Sequence, residues 1–428
     1  MEGIRVIRGM RDILPAQSIW WRWMEGRLAE VCERFGYGEL RTPLLEQTAL
    51  FSRSIGEQTD IVEKEMYTFE DRDGSMLTLR PEGTASAVRA YIEHNMARAE
   101  PVSRWYYMGP MFRHERPQKG RYRQFSQMGA ELLGVAGPAA DVELIELMVE
   151  SVAALGLTQT TLELNSLGCT ACRPAYRDGL VTYLKQHDER LCEDCKRRMQ
   201  QNPLRVLDCK QEACNKVAEG APRMIDALCD DCAQHFFAVR GGLDGLKIPY
   251  HINHRMVRGL DYYGRTTFEL LAEGLGSQNA VAAGGRYDGL VETLGGPKVP
   301  AVGFAAGLDR ILLKLTESAE APSQAPLIFI VSRGEAAWTK ALQLMQGMRR
   351  AGLRVMSDVR QGSFKAQMKR ADKDGARWVL LLAEDELKQG VVTVKDMQAG
   401  ADSQDKQQQI AEDQLVDWLK KKTEEVEK

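Results

Sequence analysis

Residues 104–131 read RWYYMGPMFRHERPQKGRYRQFSQMGAE. Between Arg113 and Arg123, the cations Arg113, Arg116, Lys119, Arg121 and Arg123 surround a single acid, Glu115. The aromatic run WYYMGPMFR predicts a strand on one side. The alternation of RQFSQMGAELLG predicts a second strand on the other, and Pro117, Lys119 and Gly120 supply a loop between them. The stretch therefore reads as a hairpin with a long basic tip. A planar guanidinium fork matches phosphate oxygens, so such a tip suits a polyphosphate or a nucleic acid. An ordinary solvated hairpin is the alternative, but surface loops seldom carry so one-sided a charge run.

The rest of the composition narrows this reading. A chain of 428 residues holds two or three domains, and 44% hydrophobic with 27% charged residues is ordinary for a soluble globular protein. A formal charge of −3 gives the whole chain no attraction for polyanions, so any such site is a local patch. The opening MEGIRVIRGMRDILP has no apolar h-region, and no window approaches ~18 unbroken apolar residues. The expectation is a cytoplasmic protein with no membrane span.

Of nine cysteines, Cys32 stands alone, as a buried thiol expected on an amphipathic helix. The other eight form Cys169-x2-Cys172, Cys192-x2-Cys195, Cys209-x4-Cys214 and Cys229-x2-Cys232. Such groups supply ligands for one or two tetrahedral thiolate zinc sites, or else remain reduced thiols of a helical insertion. Spacing does not pair the groups with one another. Disulfides do not suit the cytoplasm, and a closed thiolate set would make any zinc structural.

Along the chain, a helix is predicted over 16–35 behind Pro15, then a strand GELRTPLLEQ kinked at Pro43. Short strands follow at Met66–Phe69 and Met76–Arg80 across the turn DRDG, and Pro81-Glu82-Gly83-Thr84 opens a helix to about Asn95. Beyond the hairpin come a helix over Asp141–Leu155, a strand over Thr160–Leu164 and the charged cysteine-rich stretch 169–232. Strands return after Pro249 in YHINHRMVRGLDYYGRTTFELL and AVAAGGRYDGLVETLG, and AVGFAAGLDRILLKL runs from strand into helix. TESAEAPSQAP, 316–326, reads as a linker. After it LIFIVS, LRVMSDV, ARWVLLLA and VVTVKDM alternate with helices at 336–351 and 364–374, an α/β pattern with a mainly parallel or mixed sheet. No P-loop and no GxGxxG opening a βαβ unit is present, so a nucleotide would need another scaffold.

Three further clusters carry chemistry: Arg258-Gly-Leu-Asp-Tyr262-Tyr263, the run AAGGRYDGL with Arg286, Tyr287 and Asp288, and Gly307-Leu-Asp-Arg310. Each alone has a structural explanation, as a core phenol, a strand bulge or a surface ion pair. Together with the basic hairpin they resemble class II aminoacyl-tRNA synthetases, and specifically the histidyl-tRNA synthetases. Motif 1 of that class resembles the helix 16–35 with the strand through Pro43, motif 2 GPMFRHERPQKGRYRQFSQMGAE, and motif 3 AVGFAAGLDRILL. TLRPEGT, RGLDYYGRTTFE and AAGGRYDGL resemble the histidine-specific signatures.

The resemblance implies an α+β protein: an antiparallel class II core over 1–168 and 246–318, a helical Cys-rich insertion over 169–245, a linker over 319–326, and an α/β anticodon-binding domain over 327–428. It implies a homodimeric ligase that joins L-histidine to tRNA(His) through histidyl-adenylate, using ATP with Mg2+. Arg113 would hold the α-phosphate and Arg310 the γ-phosphate, with Arg121 and Arg123 as further phosphate contacts and Phe125 stacked on adenine. Arg258 would sit near the α-phosphate and the substrate carboxylate. Glu131 and Tyr263, with Tyr262 beside them, would face the imidazole, and Tyr287 would close the wall. Glu82, Gly83, Thr84 and Gln127 would bind the ammonium side. Arg116, Gln118 and Lys119 would reach the tRNA acceptor end. Zinc on Cys169, Cys172, Cys192, Cys195, Cys209, Cys214, Cys229 and Cys232 is not part of the resemblance. The rivals are a non-catalytic paralogue such as the regulatory subunit of ATP phosphoribosyltransferase, a proline or threonine synthetase, and a pure RNA-binding module. The catalytic arginines, the RGLDYYGRTTFE signature and the pocket residues argue against them in turn.

Overall fold

The computed structural model describes residues 3–56, 59–274, 279–318, 322, 324–399 and 406–427. The chain forms two compact units, Met1–Ala321 and Pro322–Lys428. Strands of the first unit are β1 (Gly38–Glu39), β2 (Leu45–Gln47), β3 (Tyr67–Glu70), β4 (Met76–Leu79), β5 (Ser103–Phe112), β6 (Gln124–Leu133), β7 (Thr160–Ser166), β8 (Tyr250–Ile252), β9 (Gly264–Ala272), β10 (Ala280–Arg286) and β11 (Ala301–Gly307). Eight of them form one sheet in the order β1-β5-β6-β11-β10-β9-β7-β8, antiparallel except at its two edges.

The hairpin predicted from the basic stretch is the pair β5–β6, in register from Ser103↔Leu133 to Phe112↔Gln124, with 113–123 as its tip. Helices Pro15–Arg34, Pro138–Ala153 and Leu308–Ser318 bury apolar stripes against the sheet, with Met24, Leu28, Leu144, Met148 and Ile311 inside the main core. Each such side chain contributes ~1.5–3 kcal/mol by leaving water. Helix Thr84–Glu93 belongs to a separate core, where Val88 and Tyr91 meet Leu290 and Val291.

One expectation needs correction. GELRTPLLEQ is not a single kinked strand: β1 joins the large sheet, while β2 joins a small sheet of order β2-β4-β3. The break falls around Pro43, which cannot donate to a ladder. The helix Thr48–Ile55 that follows was not anticipated.

Within residues 169–245, helices Arg173–Lys185, Glu193–Gln201 and Glu212–Glu219 surround a small core of their own that includes Tyr176, Leu180, Leu184 and Val217, while helix Asp230–Gly245 adds Cys232 to it and buries Phe236, Val239 and Leu243 in the main core. All nine cysteines are free thiols. The second unit is a five-stranded mixed sheet of β12 (Leu327–Ser332), β13 (Val355–Ser357), β14 (Ala376–Leu382), β15 (Val391–Asp396) and β16 (Gln407–Ala411), in the order β13-β12-β14-β15-β16. Its β16 escaped the sequence reading because QQQIA is nearly all polar. Of the expected linker, Thr316–Ser318 finish the helix Leu308–Ser318, and residues 319–321 and 323 lie outside the described residues.

Candidate active site

β5 and β6 build a buried polar pocket. In their register Tyr107 faces Gly129, and the absence of a side chain there makes room for the ring. A Cβ on Gly129 would lie 2.3 Å from Tyr107 Cζ, and one on Gly83 2.1 Å from Cε2. Tyr107 OH then donates to Glu131 Oε1 at 3.0 Å, beside Thr84 Oγ1 at 2.8 Å. Tyr287 OH donates to the other oxygen, Oε2. Gly303 of β11 faces Glu131, and a Cβ there would meet Oε2 at 1.7 Å. Burial pushes the Glu131 carboxyl up to about 8, while the hydroxyls of Tyr287, Thr84 and Tyr107 pull the other way.

Glu82 opens the helix Thr84–Glu93 by accepting the N–H of Thr84 at 2.6 Å and of Ala85 at 2.9 Å, satisfying donors that a helix start leaves unpaired. Burial raises its carboxyl, and these N–H groups oppose that. Tyr262, Tyr263 and Tyr287 cluster with ring centroids 4.6 to 6.5 Å apart. The Arg258 guanidinium lies over Tyr263 at 5.2 Å, and its Nη1 donates to Glu269 Oε1 at 2.5 Å. Among the described residues, Gln127 Oε1 and Arg258 Nε are buried without a partner. Buried polar atoms are rarely left so, and both residues line the same cleft.

That cleft has a volume of about 380 Å3, and its wall includes Thr84, Arg113, Phe125, Gln127, Arg258 and Arg310. Arg113 donates Nε to Pro81 O at 2.8 Å and stands 5.4 Å from the Phe125 ring. Arg310 donates Nη1 to Ala280 O at 2.8 Å. Burial, then repulsion from Arg121, lowers the pKa of Arg310, with Glu115 partly opposing the shift. Asp309 pins its helix to the hairpin, accepting Ser126 N at 2.7 Å and Arg11 Nη2 at 2.8 Å. A larger hollow of about 790 Å3, walled by Leu40, Arg41 and Glu93 among others, has no comparable convergence of buried polar groups.

The structure thus brings most of the sequence-predicted residues to one cleft, with exceptions. Glu131 and Tyr287 stand behind its wall rather than on it, as does Gly83. Arg121 lines the cleft but is paired with Glu115 at 2.8 Å, and Arg123 Nε donates to Glu115 O at 3.3 Å. Arg116, Gln118 and Lys119 lie on the exposed tip, where Lys119 pairs with Glu317 at 3.0 Å. Arg286 is fully buried against Asp141 and does not line the cleft. Sequence reasoning missed Tyr107, Gly303 and Glu269, as well as Arg205 and Asp208 of the cysteine-rich segment, which line the cleft. A glycine within a strand, such as Gly129 or Gly303, was the available signal for a close approach.

The eight clustered cysteines fall into two quartets, Cys169–Cys172–Cys229–Cys232 and Cys192–Cys195–Cys209–Cys214, each with all sulfurs within 4.8 Å of one another. In the first, Cys169 lies 3.7 Å from Cys172 and 3.8 Å from Cys229, and Cys172 lies 4.0 Å from Cys232; in the second, Cys192 and Cys209 lie 3.9 Å apart.

An antiparallel sheet carrying a basic hairpin tip, with an arginine-lined cleft beside a buried acid–phenol pocket, defines a class II aminoacyl-tRNA synthetase. The family profile of histidyl-tRNA synthetase matches residues 9–311, and that of an anticodon binding domain matches 327–422. The chain belongs to the histidyl-tRNA synthetase family. It is 52% identical over 394 residues to the histidine--tRNA ligase of Trichlorobacter lovleyi, covering 92% of this chain and 94% of that one. The apo histidyl-tRNA synthetase of S. aureus superposes with a TM-score of 0.82 at 36% identity, over 97% of this chain and 99% of that one. A protein from Bacillus halodurans described as an ATP phosphoribosyltransferase regulatory subunit/histidyl-tRNA synthetase shares the fold, with a TM-score of 0.64 at 20% identity over 88% of this chain and 97% of that one. Among the described residues no helix is long and apolar enough to cross a membrane.

Proposed function

We propose that this chain joins L-histidine to tRNA(His) in two steps. The histidine carboxylate attacks the α-phosphorus of ATP in line, and pyrophosphate leaves. The terminal ribose hydroxyl of the tRNA then attacks the adenylate, and AMP leaves. The observation that carries the reading is the pairing of a buried acid–phenol pocket with an arginine-lined cleft containing unpartnered Gln127 Oε1 and Arg258 Nε. Imidazole offers two ring nitrogens, at least one bearing a proton, and Glu131 with the Tyr262–Tyr263 pair can answer both. Gln127, Thr84 and Glu82 receive the ammonium; Glu82 keeps spare acceptor capacity beyond its two helix N–H bonds. Such a pocket rejects apolar isosteres because its polar groups would be left unpaired.

Charge builds on phosphate oxygens as the α-phosphorus is attacked, and cations fixed in advance stabilise it. Arg113 and Arg258 take the α-phosphate, Arg310 the γ-phosphate, and Phe125 the adenine face. Magnesium bound to the nucleotide would shield its phosphates. Arg121 is a further phosphate contact once it leaves Glu115, and Arg123 supports that loop. Arg116, Gln118 and Lys119 on the exposed tip face the acceptor end. The unit from 327 onward serves the anticodon, and the division at 168, 245, 318 and 326 separates core, insertion, core and linker. Assembly as a homodimer is supported by exposed Ile4, Val6, Ile7 and Leu14 ahead of the helix Pro15–Arg34. The free thiols fit the cytoplasm.

We also propose that the insertion holds structural zinc. Four thiolates ~2.3 Å from one zinc stand ~3.8 Å apart at the corners of a tetrahedron; four of the sulfur separations, 3.7 to 4.0 Å, match that edge, and the sulfurs of each quartet all lie within 4.8 Å of one another.

The test of the activity is exchange of pyrophosphate into ATP with each of the twenty amino acids in turn. Exchange with histidine alone is expected. None with any amino acid, from a folded protein, would support the regulatory-paralogue reading.

A further inference from the structure

The two cysteine quartets differ in what stands next to them. β7 ends at Ser166, and the chain passes through Leu167 and Gly168 to Cys169. Leu167 N donates to Arg265 O at 2.7 Å, and Arg265 N donates back to Gly168 O at 2.8 Å. Immediately after Cys172, Arg173 donates Nη2 to Tyr263 O at 2.6 Å and Nε to Leu167 O at 3.4 Å. The first half of this quartet is therefore fastened to the backbone of Tyr263-Gly264-Arg265.

The second half leads to the same place by another route. Cys229 immediately precedes the helix Asp230–Gly245, which carries Cys232 and, one turn on, His235. His235 Nε2 lies 3.2 Å from Asp141 Oδ2, and its Nδ1 lies 3.4 Å from Arg265 Nη1. An arginine can only donate, so Nδ1 accepts and Nε2–H donates to Asp141. Asp141 in turn receives Arg286 Nη2 at 2.6 Å. Arg286 precedes Tyr287, whose hydroxyl bonds Glu131.

Arg265, gripped from both sides, has φ +46, a left-handed conformation unusual for a residue with a side chain. Such a residue persists where its surroundings over-determine it. Among the described residues the other quartet lacks this connection. Its intervening loop gives Asn202, which donates to Asp261 at 2.9 Å, and Arg205, which reaches Arg258 O at 3.5 Å, both on the rim of the 258–261 loop.

We propose that a zinc ion on Cys169, Cys172, Cys229 and Cys232 anchors the histidine pocket. It fixes Tyr263 through Arg173 and Arg265, and Tyr287 through His235, Asp141 and Arg286. The inference rests on both readings above, zinc in the insertion and histidine as substrate. Arg173 is then a positioning residue.

The experiment measures zinc by mass spectrometry on enzyme purified without chelator, and KM for histidine and for ATP by pyrophosphate exchange. The unaltered chain is expected to hold two zinc ions. Cys232→Ser should hold one and raise the histidine KM about tenfold or more, the usual effect of losing support around a site, while the ATP KM moves less than about threefold. Cys195→Ser should also hold one zinc but shift the histidine KM far less. Arg173→Met keeps all eight thiols, so it reports even if Cys232→Ser does not fold. It should retain both ions and still raise the histidine KM, with Arg173→Lys restoring part of the loss. An unaltered chain without metal would overturn the zinc reading and the anchor with it. Failure of the unaltered chain to exchange with histidine would instead remove the substrate reading. If zinc is present but the histidine KM is unmoved in Cys232→Ser or Arg173→Met, or rises in step with the ATP KM, the anchor is wrong while both other readings stand.

Discussion

Around Glu131 the cleft is backed by a dry network whose hydroxyls and carboxylate already satisfy one another. Around Arg113, Arg121 and Arg310 it is part-exposed, and those guanidiniums are held by backbone carbonyls and one carboxylate. The contrast follows from what each end has to recognise. A small neutral ring is told from its isosteres only by polar groups withdrawn from water and fixed beforehand. A polyphosphate brings several charges of its own, so cations loosely parked on carbonyls suffice until it arrives. Disturbing the first end should therefore alter which amino acid is used, and disturbing the second should alter the rate of attack at phosphorus.

Arg258 joins the two ends, with its guanidinium over Tyr263 and its Nε unpartnered. Arg258→Ala should lower histidine-dependent pyrophosphate exchange by about 10³-fold, the scale of losing a fixed charge donor at the reacting centre. Binding of tRNA, followed by filter retention, should change little. Equal loss of both would show that the residue holds structure rather than charge.

Arg286 tests whether the dry end depends on what lies beneath it. It is completely buried with Asp141, which it meets at 2.6 Å. Burial pushes the Asp141 carboxyl up, but hydrogen bonds from His235 and Arg286 outweigh that and leave it below its usual value. A carboxyl lowered in this way stabilises the fold above its unfolded pKa of ~3.9, and that contribution is lost as pH falls through the lower folded value. Arg286→Met removes the guanidinium and leaves the buried carboxylate only the His235 hydrogen bond, and should cost ~3–5 kcal/mol of unfolding free energy at neutral pH. The loss should shrink on acidification, because protonating the carboxyl removes the buried charge left without its cation. Denaturant titration at two pH values decides this; an unchanged midpoint would mean that Asp141 finds other partners.

Glu131→Gln tests the dry end itself. The amide keeps the shape, but its one oxygen can replace only one carboxylate oxygen, so either Tyr287 or the Thr84–Tyr107 pair faces NH2, loses its acceptor and leaves a buried hydroxyl proton unpaired. kcat/KM for histidine should fall by about 10²-fold, with the ATP KM nearly constant, since an unsatisfied buried group costs ~1–3 kcal/mol. A parallel rise in the ATP KM would mean that the two ends are not separately built.

The sequence disclosed this contrast unevenly, and the reason is physical. The basic tip was legible because charge clustered in sequence is clustered in space when a hairpin folds it back: Phe112 and Gln124 pair, and 113–123 forms the tip. The dry network was half legible. Glu131, Thr84 and Tyr287 were named by resemblance, but their meeting depends on the registers of β6 with β5 and β11, which no local pattern sets. Tyr107 and Gly303 were invisible for that reason. The quartets show the same limit, since CxxC spacing predicts metal ligands but not which pairs share a centre. The helix packing that brings 169–172 to 229–232 decides that.

The mildest perturbation is pH alone. Burial, opposed by three hydroxyls, leaves the Glu131 carboxyl raised to about 8. A carboxyl raised on folding is protonated more readily in the folded chain than in the unfolded one. It therefore weakens the fold as pH climbs from the ordinary carboxyl range to about 8, and binding a ligand that prefers the carboxylate should recover part of that loss. If imidazole N–H is read by the ionised form, the histidine KM should fall about three- to tenfold between about pH 7 and 8.5, a pH unit being worth up to tenfold. The free imidazole, with a pKa of ~6.5, is largely neutral across that window and contributes little of the change. Glu131→Gln should flatten the profile, and the ATP KM should stay level in both proteins. A flat profile in the unaltered chain would mean that the carboxyl does not titrate there, whereas a histidine KM that instead rises across that window would assign the protonated carboxyl as the reader, donating to a bare ring nitrogen. The pocket would then fix the opposite tautomer of the substrate.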